Sequence, residues 1–397
     1  MTGFRYYSAA ALYFATVGVL GIYIPWVLLD LTGTAVSVGI MLCVRAVPGL
    51  LLSGKAGGAA DRLDKRKLIA MACAIKSSAL VLFLLFKQEL WNVGGFYALI
   101  ALISVANTFF LASIRSYLHV TIDKDHLVAA NGRFESSTQV GTIAGAGVGG
   151  LITAFASIEW AFALVIAMLV YVAVQSLLLN PETVKAAAEK AQSKVMETKY
   201  SVLSDKALWP GLMVLLVPML YVQMDNILLA PLSKVQMGLD ASGFGFLNAA
   251  YSVGAMTIGL VLAKTAFKQH QKWLFCVAIM VAAAHLLLSV SDNFVVGMVA
   301  CILVGVSVIW CRINANSVIM QQVDKAYAGK LQALLLRLHY GSIFIVGLVF
   351  GWLADMVGYD RVYQYISVSL MLLLLPLAVS AIRAKPAVDV TTAGESS

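Results

Sequence analysis

Twelve long apolar runs separated by short polar segments dominate this chain and leave it few ways to fold. They lie at about 8–29, 36–60, 68–86, 93–117, 134–157 and 160–179, then at about 207–231, 241–264, 273–290, 294–319, 327–354 and 362–382. A helix needs roughly 20 apolar residues to cross a bilayer. Lipid is therefore the simplest solvent for these runs. Composition agrees: 61% of residues are apolar and 12% charged, about half the charged share of a soluble domain. A soluble enzyme would need far more charge to coat its surface. Cys43, Cys73, Cys276, Cys301 and Cys311 all fall inside apolar runs without metal or redox spacing, so they read as small core residues. The expected fold class is an all-α membrane protein of twelve transmembrane helices, with no resident metal or cofactor.

The runs divide six and six. Residues 1–180 are expected to form one six-helix half and 207–397 a second, ending in a short tail. A linker at 181–206 joins them, and its Ala-, Lys- and Glu-rich sequence predicts a helix at the surface. Arg5 leads straight into the first run with no small-residue cleavage site, so a retained first span is expected. With the N-terminus placed in the cytoplasm, 19 of the 28 Lys and Arg residues fall in cytoplasmic loops and ends. Three fall on the opposite side (Lys87, Lys234 and Arg361) and six within spans. That bias puts both termini inside. It also explains the net charge of +8 without a nucleic-acid partner.

Between spans 2 and 3 stands GGAADRLDKRKL, Gly57 to Leu68. Gly57 and Gly58 predict a close approach of two helices. Asp61 can accept from a neighbouring helix N-terminus, and Arg62, Lys65, Arg66 and Lys67 can anchor at headgroups. In this position the run resembles the signature of the major facilitator superfamily, Gly-x-x-x-Asp-Arg-x-x-Arg-Arg/Lys. The counterpart loop in the second half, KTAFKQHQK at 264–272, keeps only the basic residues. Ala112-Ser113-Ile114-Arg115 at the end of span 4, with Leu127, Ala130 and Asn131 before span 5, resembles the branch of macrolide, siderophore and lysophospholipid exporters (drug:proton antiporter-3-like). GTIAGAGVGG, Gly141 to Gly150, resembles the glycine-rich span-5 motif of exporters, with Ala or Gly where that motif usually has Pro.

The resemblance implies two pseudo-symmetric halves around a central cavity. Spans 1, 2, 4, 5, 7, 8, 10 and 11 would line it, with 3, 6, 9 and 12 outside. It implies a conformational motif of Gly57, Asp61, Arg62, Arg66 and Arg115, in which Asp61 locks the cytoplasmic side through the end of span 11. The similar GWLADMVGYDR at 351–361 falls on the opposite side and reads as a turn with helix-end acids.

Charges inside spans are costly and usually face a cavity. Arg45, Arg312 and Arg337 are the deep cations, whereas Lys76 on span 3 reads as structural. Asp225 is the one deep carboxylate, and Glu135 stands at the start of span 5. These two are the candidates for proton coupling. An interior biased towards Arg favours an anionic or strongly hydrogen-bonding cargo. Asn107, Tyr221, Asn248, Tyr251 and Asn316 are the neutral candidates for substrate binding, and His285 reads as a packing residue. No nucleophile–base pair or phosphate loop is present, which argues against an intramembrane enzyme. The expected function is proton-coupled export of a small molecule across the inner membrane by a monomer. A siderophore is favoured over macrolide or multidrug efflux, and a lysophospholipid comes last. The acid–amide pair that the resemblance leads one to expect on span 1 for lipid transport is missing. The expected partners are the small-molecule substrate, protons and membrane lipid.

Overall fold

The computed structural model describes residues 2–122, 127–155, 157–180, 209–264, 274–322, 338 and 340–383. They form α1 (Thr2–Thr32), α2 (Ala35–Arg62), α3 (Lys65–Leu85), α4 (Val93–Thr121), α5 (Leu127–Phe155), α6 (Ile158–Leu177), α7 (Trp209–Val235), α8 (Ala241–Lys264), α9 (Leu274–Ser289), α10 (Phe294–Gln322), α11 (Tyr340–Val357) and α12 (Tyr359–Arg383). Ten of them are long and apolar enough to cross a membrane. No strand occurs among the described residues. In lipid the backbone must satisfy its own hydrogen bonds, and helices do so within one segment. The 181–206 linker lies outside the described residues.

Helix ends are set by side chains that accept from free backbone N–H groups. Asn92 Oδ1 accepts from Gly95 N–H at 3.0 Å to start α4, and Asp240 Oδ1 accepts from Gly243 N–H at 2.9 Å to start α8. Gly33 after α1 and Gly238 after α7 have φ of 67° and 64°. Equivalent turns in the two sets of six helices thus use the same left-handed glycine stop.

Inside each set, small residues let backbones touch. The stripe Gly141, Gly145 and Gly149 of α5 lies against Ala11, Ala15 and Val19 of α1, with no room for a Cβ. Gly254 of α8 and Gly305 of α10 do the same against Ile302 and Tyr251. The exporter-like glycine run is therefore a packing face, and no described side chain of α5 lines the central cavity. By contrast, no described residue lies within 4 Å of a Cβ built at Gly57 or Gly58, so no close approach is seen there among the described residues.

The two sets meet at the end that carries the α1–α2, α7–α8 and α11–α12 turns. Gly39 of α2 packs on Gly347 of α11, and Gly150 of α5 on Gly245 of α8. A turn of π-helix, Val346–Phe350, brackets Gly347. Trp26 stacks on Phe244 with ring centroids 5.9 Å apart, and Asp30 pairs with Lys234. Asp355, near the end of α11, accepts from the N–H groups of Ala35 and Val36 at 2.8 and 3.0 Å, capping α2 across the seam. The segment read as a turn is thus helical to Val357. The turn itself is at Gly358, with φ of 106°.

Candidate functional site

Where the two sets part, they enclose a cavity of about 730 Å³. Polar groups reach it from α1, α2, α3 and α4 on one wall and from α7, α8 and α11 on the other. Its volume suits a small organic molecule.

The first wall is cationic. Lys76 is wholly buried on α3 and lines the cavity, which corrects the reading of span 3 as peripheral and of Lys76 as outside. Its ammonium donates to Thr16 Oγ1 at 2.8 Å and lies 4.6 Å from the centroid of the Tyr13 ring. Thr16 is free to accept because its own O–H donates to the Tyr13 carbonyl at 2.6 Å. Tyr13 is fixed in turn by stacking on Phe110, with centroids 3.3 Å apart, and by donating to Asn107 Oδ1 at 2.6 Å. Arg45 extends from α2 into the same space, and Arg115 lines it from α4, within 5.6 Å of the Phe134 ring. Neither Arg45 nor Lys76 meets a carboxylate within ion-pair distance among the described residues. A desolvated cation without a counter-ion is costly, and a negative charge placed here would lower that cost.

The opposite wall holds a single acid. Asp225 of α7 lines the cavity with its side chain 15% exposed. Among the described residues its partners are a histidine and a tyrosine: His285 Nε2 of α9 lies 3.2 Å from Oδ2, and Tyr363 of α12 donates to Oδ1 at 2.8 Å. His285, read as a packing residue, is the buried partner of the one deep acid. Tyr221 does not reach the cavity. It is fully buried, stacks on His285 with centroids 4.0 Å apart, and shares a 2.9 Å hydrogen bond with Ser367 of α12. Helix 12 therefore supports the site from behind, and helix 9 does so while also lining the cavity through Leu288, which corrects the reading of span 9 as outside.

Asn248 and Tyr251 of α8 line the cavity as expected, with the Asn248 amide donating to the Phe244 carbonyl at 2.9 Å. Arg312 is exposed on α10 and does not line the cavity. The side chains of Asn316 and Glu135, and all of Arg337, lie outside the described residues. Tyr363, Ser367 and Lys76 are what the sequence reading missed. Tyr363 and Ser367 are four apart on one helix face, a spacing that could have pointed to a polar contact.

At the end of α2, Asp61 and Arg62 are exposed. Arg66 instead ties the turn together, donating to Asp64 Oδ2 at 2.7 Å and to the Leu179 carbonyl after α6 at 3.1 Å. The Arg66 guanidinium holds the Asp64 carboxyl below its ordinary range.

The model of the Major Facilitator Superfamily matches residues 6–347. No curated protein matches the sequence. Among solved structures, the nucleoside transporter NupG superposes with a TM-score of 0.71 at 15% identity, covering 97% of this chain and 100% of that one. A bacterial homolog of the human lysosomal transporter Spinster, inward-facing and unoccupied, gives 0.74 at 12% identity over 97% and 98%. A bacterial homologue of the iron transporter ferroportin, inward-facing, gives 0.70 at 13% over 96% and 99%. At these identities the likeness is one of fold. A family match over most of the chain, on twelve helices around a polar cavity, has one reading: the chain belongs to the Major Facilitator Superfamily and has the fold of its membrane transporters.

Proposed function

We propose that this protein is a proton-coupled exporter of a small anionic molecule, with Asp225 as its coupling group. The observation that carries the choice of cargo is the wall bearing Arg45 and Lys76, two cations with no carboxylate in ion-pair reach among the described residues. A carboxylate or hydroxamate oxygen from the cargo would supply the missing counter-charge through short, charge-assisted hydrogen bonds. Asn107 adds a donor beside them, because its Oδ1 is taken by Tyr13 while its NH₂ group remains for a ligand. A siderophore of the carboxylate or hydroxamate type has this chemistry.

The basic-residue bias supports a cytoplasmic position for both termini, and with them for the end of the cavity away from the closed seam, in an inner-membrane protein. Export is favoured by the resemblance of Ala112–Arg115 and Gly141–Gly150 to exporter motifs. The fold neighbours include a nucleoside transporter and a homologue of an iron transporter, so fold alone does not select the cargo.

The test is equilibrium binding to the purified protein of an iron-free citrate-based dihydroxamate chelator and of ethidium. Hydrogen bonds to charged groups contribute about 1.5–3 kcal/mol, so Arg45→Gln should weaken chelator binding by about 10- to 100-fold. Ethidium binding should change by less than about twofold. Equal loss for both, or tight binding of ethidium alone, would overturn the anion reading in favour of multidrug efflux.

A further inference from the structure

We infer that Asp225 and His285 act as one proton-carrying pair, in which the buried imidazole and the cavity-facing carboxyl group share a single proton. The inference deepens the reading of Asp225 as the coupling group and rests on it.

The argument begins at the far side of the ring. His285 Nδ1 lies 2.7 Å from the Val281 carbonyl oxygen, one helical turn earlier. A carbonyl can only accept, so Nδ1 carries the hydrogen. A neutral ring then presents a lone pair at Nε2, and an ionised carboxylate presents only lone pairs. Their 3.2 Å contact needs one proton between them. That proton sits on Nε2, as imidazolium beside carboxylate, or on Oδ2, as carboxylic acid beside neutral imidazole. Both arrangements are net neutral. Tyr363 donates to Oδ1, which leaves Oδ2 to face the ring.

The surroundings enforce the count. His285 is wholly buried. Tyr221 of α7 covers one face of its ring, and Tyr363 of α12 lies on the same stack at 5.9 Å. Among the described residues, Cys301 of α10 and Tyr251 of α8 are the other titratable groups within electrostatic range of Asp225, with Arg312 beyond Tyr251. A second proton would create an uncompensated cation beside a neutral acid. Loss of the first would leave two sets of lone pairs facing each other at 3.2 Å and one buried negative charge. Each change of occupancy therefore alters the charge of this pocket by one unit, and Asp225 must then turn out of the contact. Asp225 is also the member that lines the cavity. On release the proton passes from Oδ2 to cavity water and the electron pair stays on the carboxylate. Uptake is the reverse.

The test is a ring-¹⁵N NMR spectrum of the full-length protein in detergent micelles, with the His285 signal identified by its loss in His285→Gln. In the wild type the ring should carry its hydrogen on Nδ1 with Nε2 hydrogen-bonded. In Asp225→Asn the Nε2 resonance should move, because its carboxyl partner is gone, while the Nδ1 resonance stays. Identical Nε2 resonances in both proteins would overturn the pair. The functional readout is pH-gradient-driven transport of the citrate-based chelator in proteoliposomes. His285→Gln and Asp225→Asn should each lower it at least about tenfold, with the double variant no worse than either. If Asp225→Asn abolishes gradient-driven transport and His285→Gln leaves it at the wild-type level, the pair is wrong and Asp225 alone couples. If Asp225→Asn leaves it intact, the underlying reading of Asp225 falls instead.

Discussion

Lys76 shows how one residue can reveal what a cavity is for. A buried ammonium held by a single threonine hydroxyl and the face of a tyrosine ring is poorly compensated. If it served only to join helices, a hydrophobic residue of similar length would do at least as well. Lys76→Met should therefore leave the melting temperature unchanged or raise it, while weakening binding of the anionic chelator at least about tenfold. Thermal unfolding and binding titration on the same sample check this. A fall in melting temperature with affinity intact would make Lys76 structural after all. Its role was not legible in the sequence for a physical reason. In a membrane, the lipid-facing and core-facing sides of a helix are both apolar, so hydrophobic periodicity cannot say where Lys76 points. His285 is the buried packing residue that the sequence suggests, but its contact with Asp225 was not legible, since nothing in α9 says which helix it faces. Asp225 stood out because it is the one acid deep in a span.

The helices themselves were far more legible, because length and hydropathy fix a spanning helix almost without tertiary context. Their ends were less so. The fifth apolar run begins near 134, yet α5 begins at Leu127, since a helix can continue into water through residues such as Asn131 and Arg133. Asp355 was legible as an acid but not as a cap, because the N–H groups that donate to it are at the start of α2, some 320 positions away. Capping groups of this kind contribute about 1 kcal/mol. Asp355→Ala should weaken the closed end and shift the population towards opening there by about fivefold. Distance distributions between spin labels on the α1–α2 and α7–α8 turns would widen. Unchanged distributions would show that the glycine contacts alone hold this end shut.

At the scale of the molecule, the two sets of six helices are closed at one end, by Gly39–Gly347, Gly150–Gly245 and the Asp355 cap, and enclose a cavity with one cationic wall and one wall holding an acid. A transporter must present such a site alternately to the two sides of the membrane. In the proposed cycle the proton and the anion act on opposite walls, Asp225 with His285 on one and Arg45 with Lys76 on the other. Coupling follows if occupancy of one wall changes how readily the halves rock about the other. The central claim is export of an anion in exchange for protons. Its most direct measurement uses inside-out membrane vesicles with an acidified lumen, which reproduces the outer side, and follows accumulation of the radiolabelled citrate-based chelator. The wild type should accumulate the chelator as long as the pH gradient lasts, a protonophore should release it, and Asp225→Asn should fail to accumulate it. Accumulation indifferent to the gradient, or accumulation of ethidium with none of the chelator, would contradict the claim.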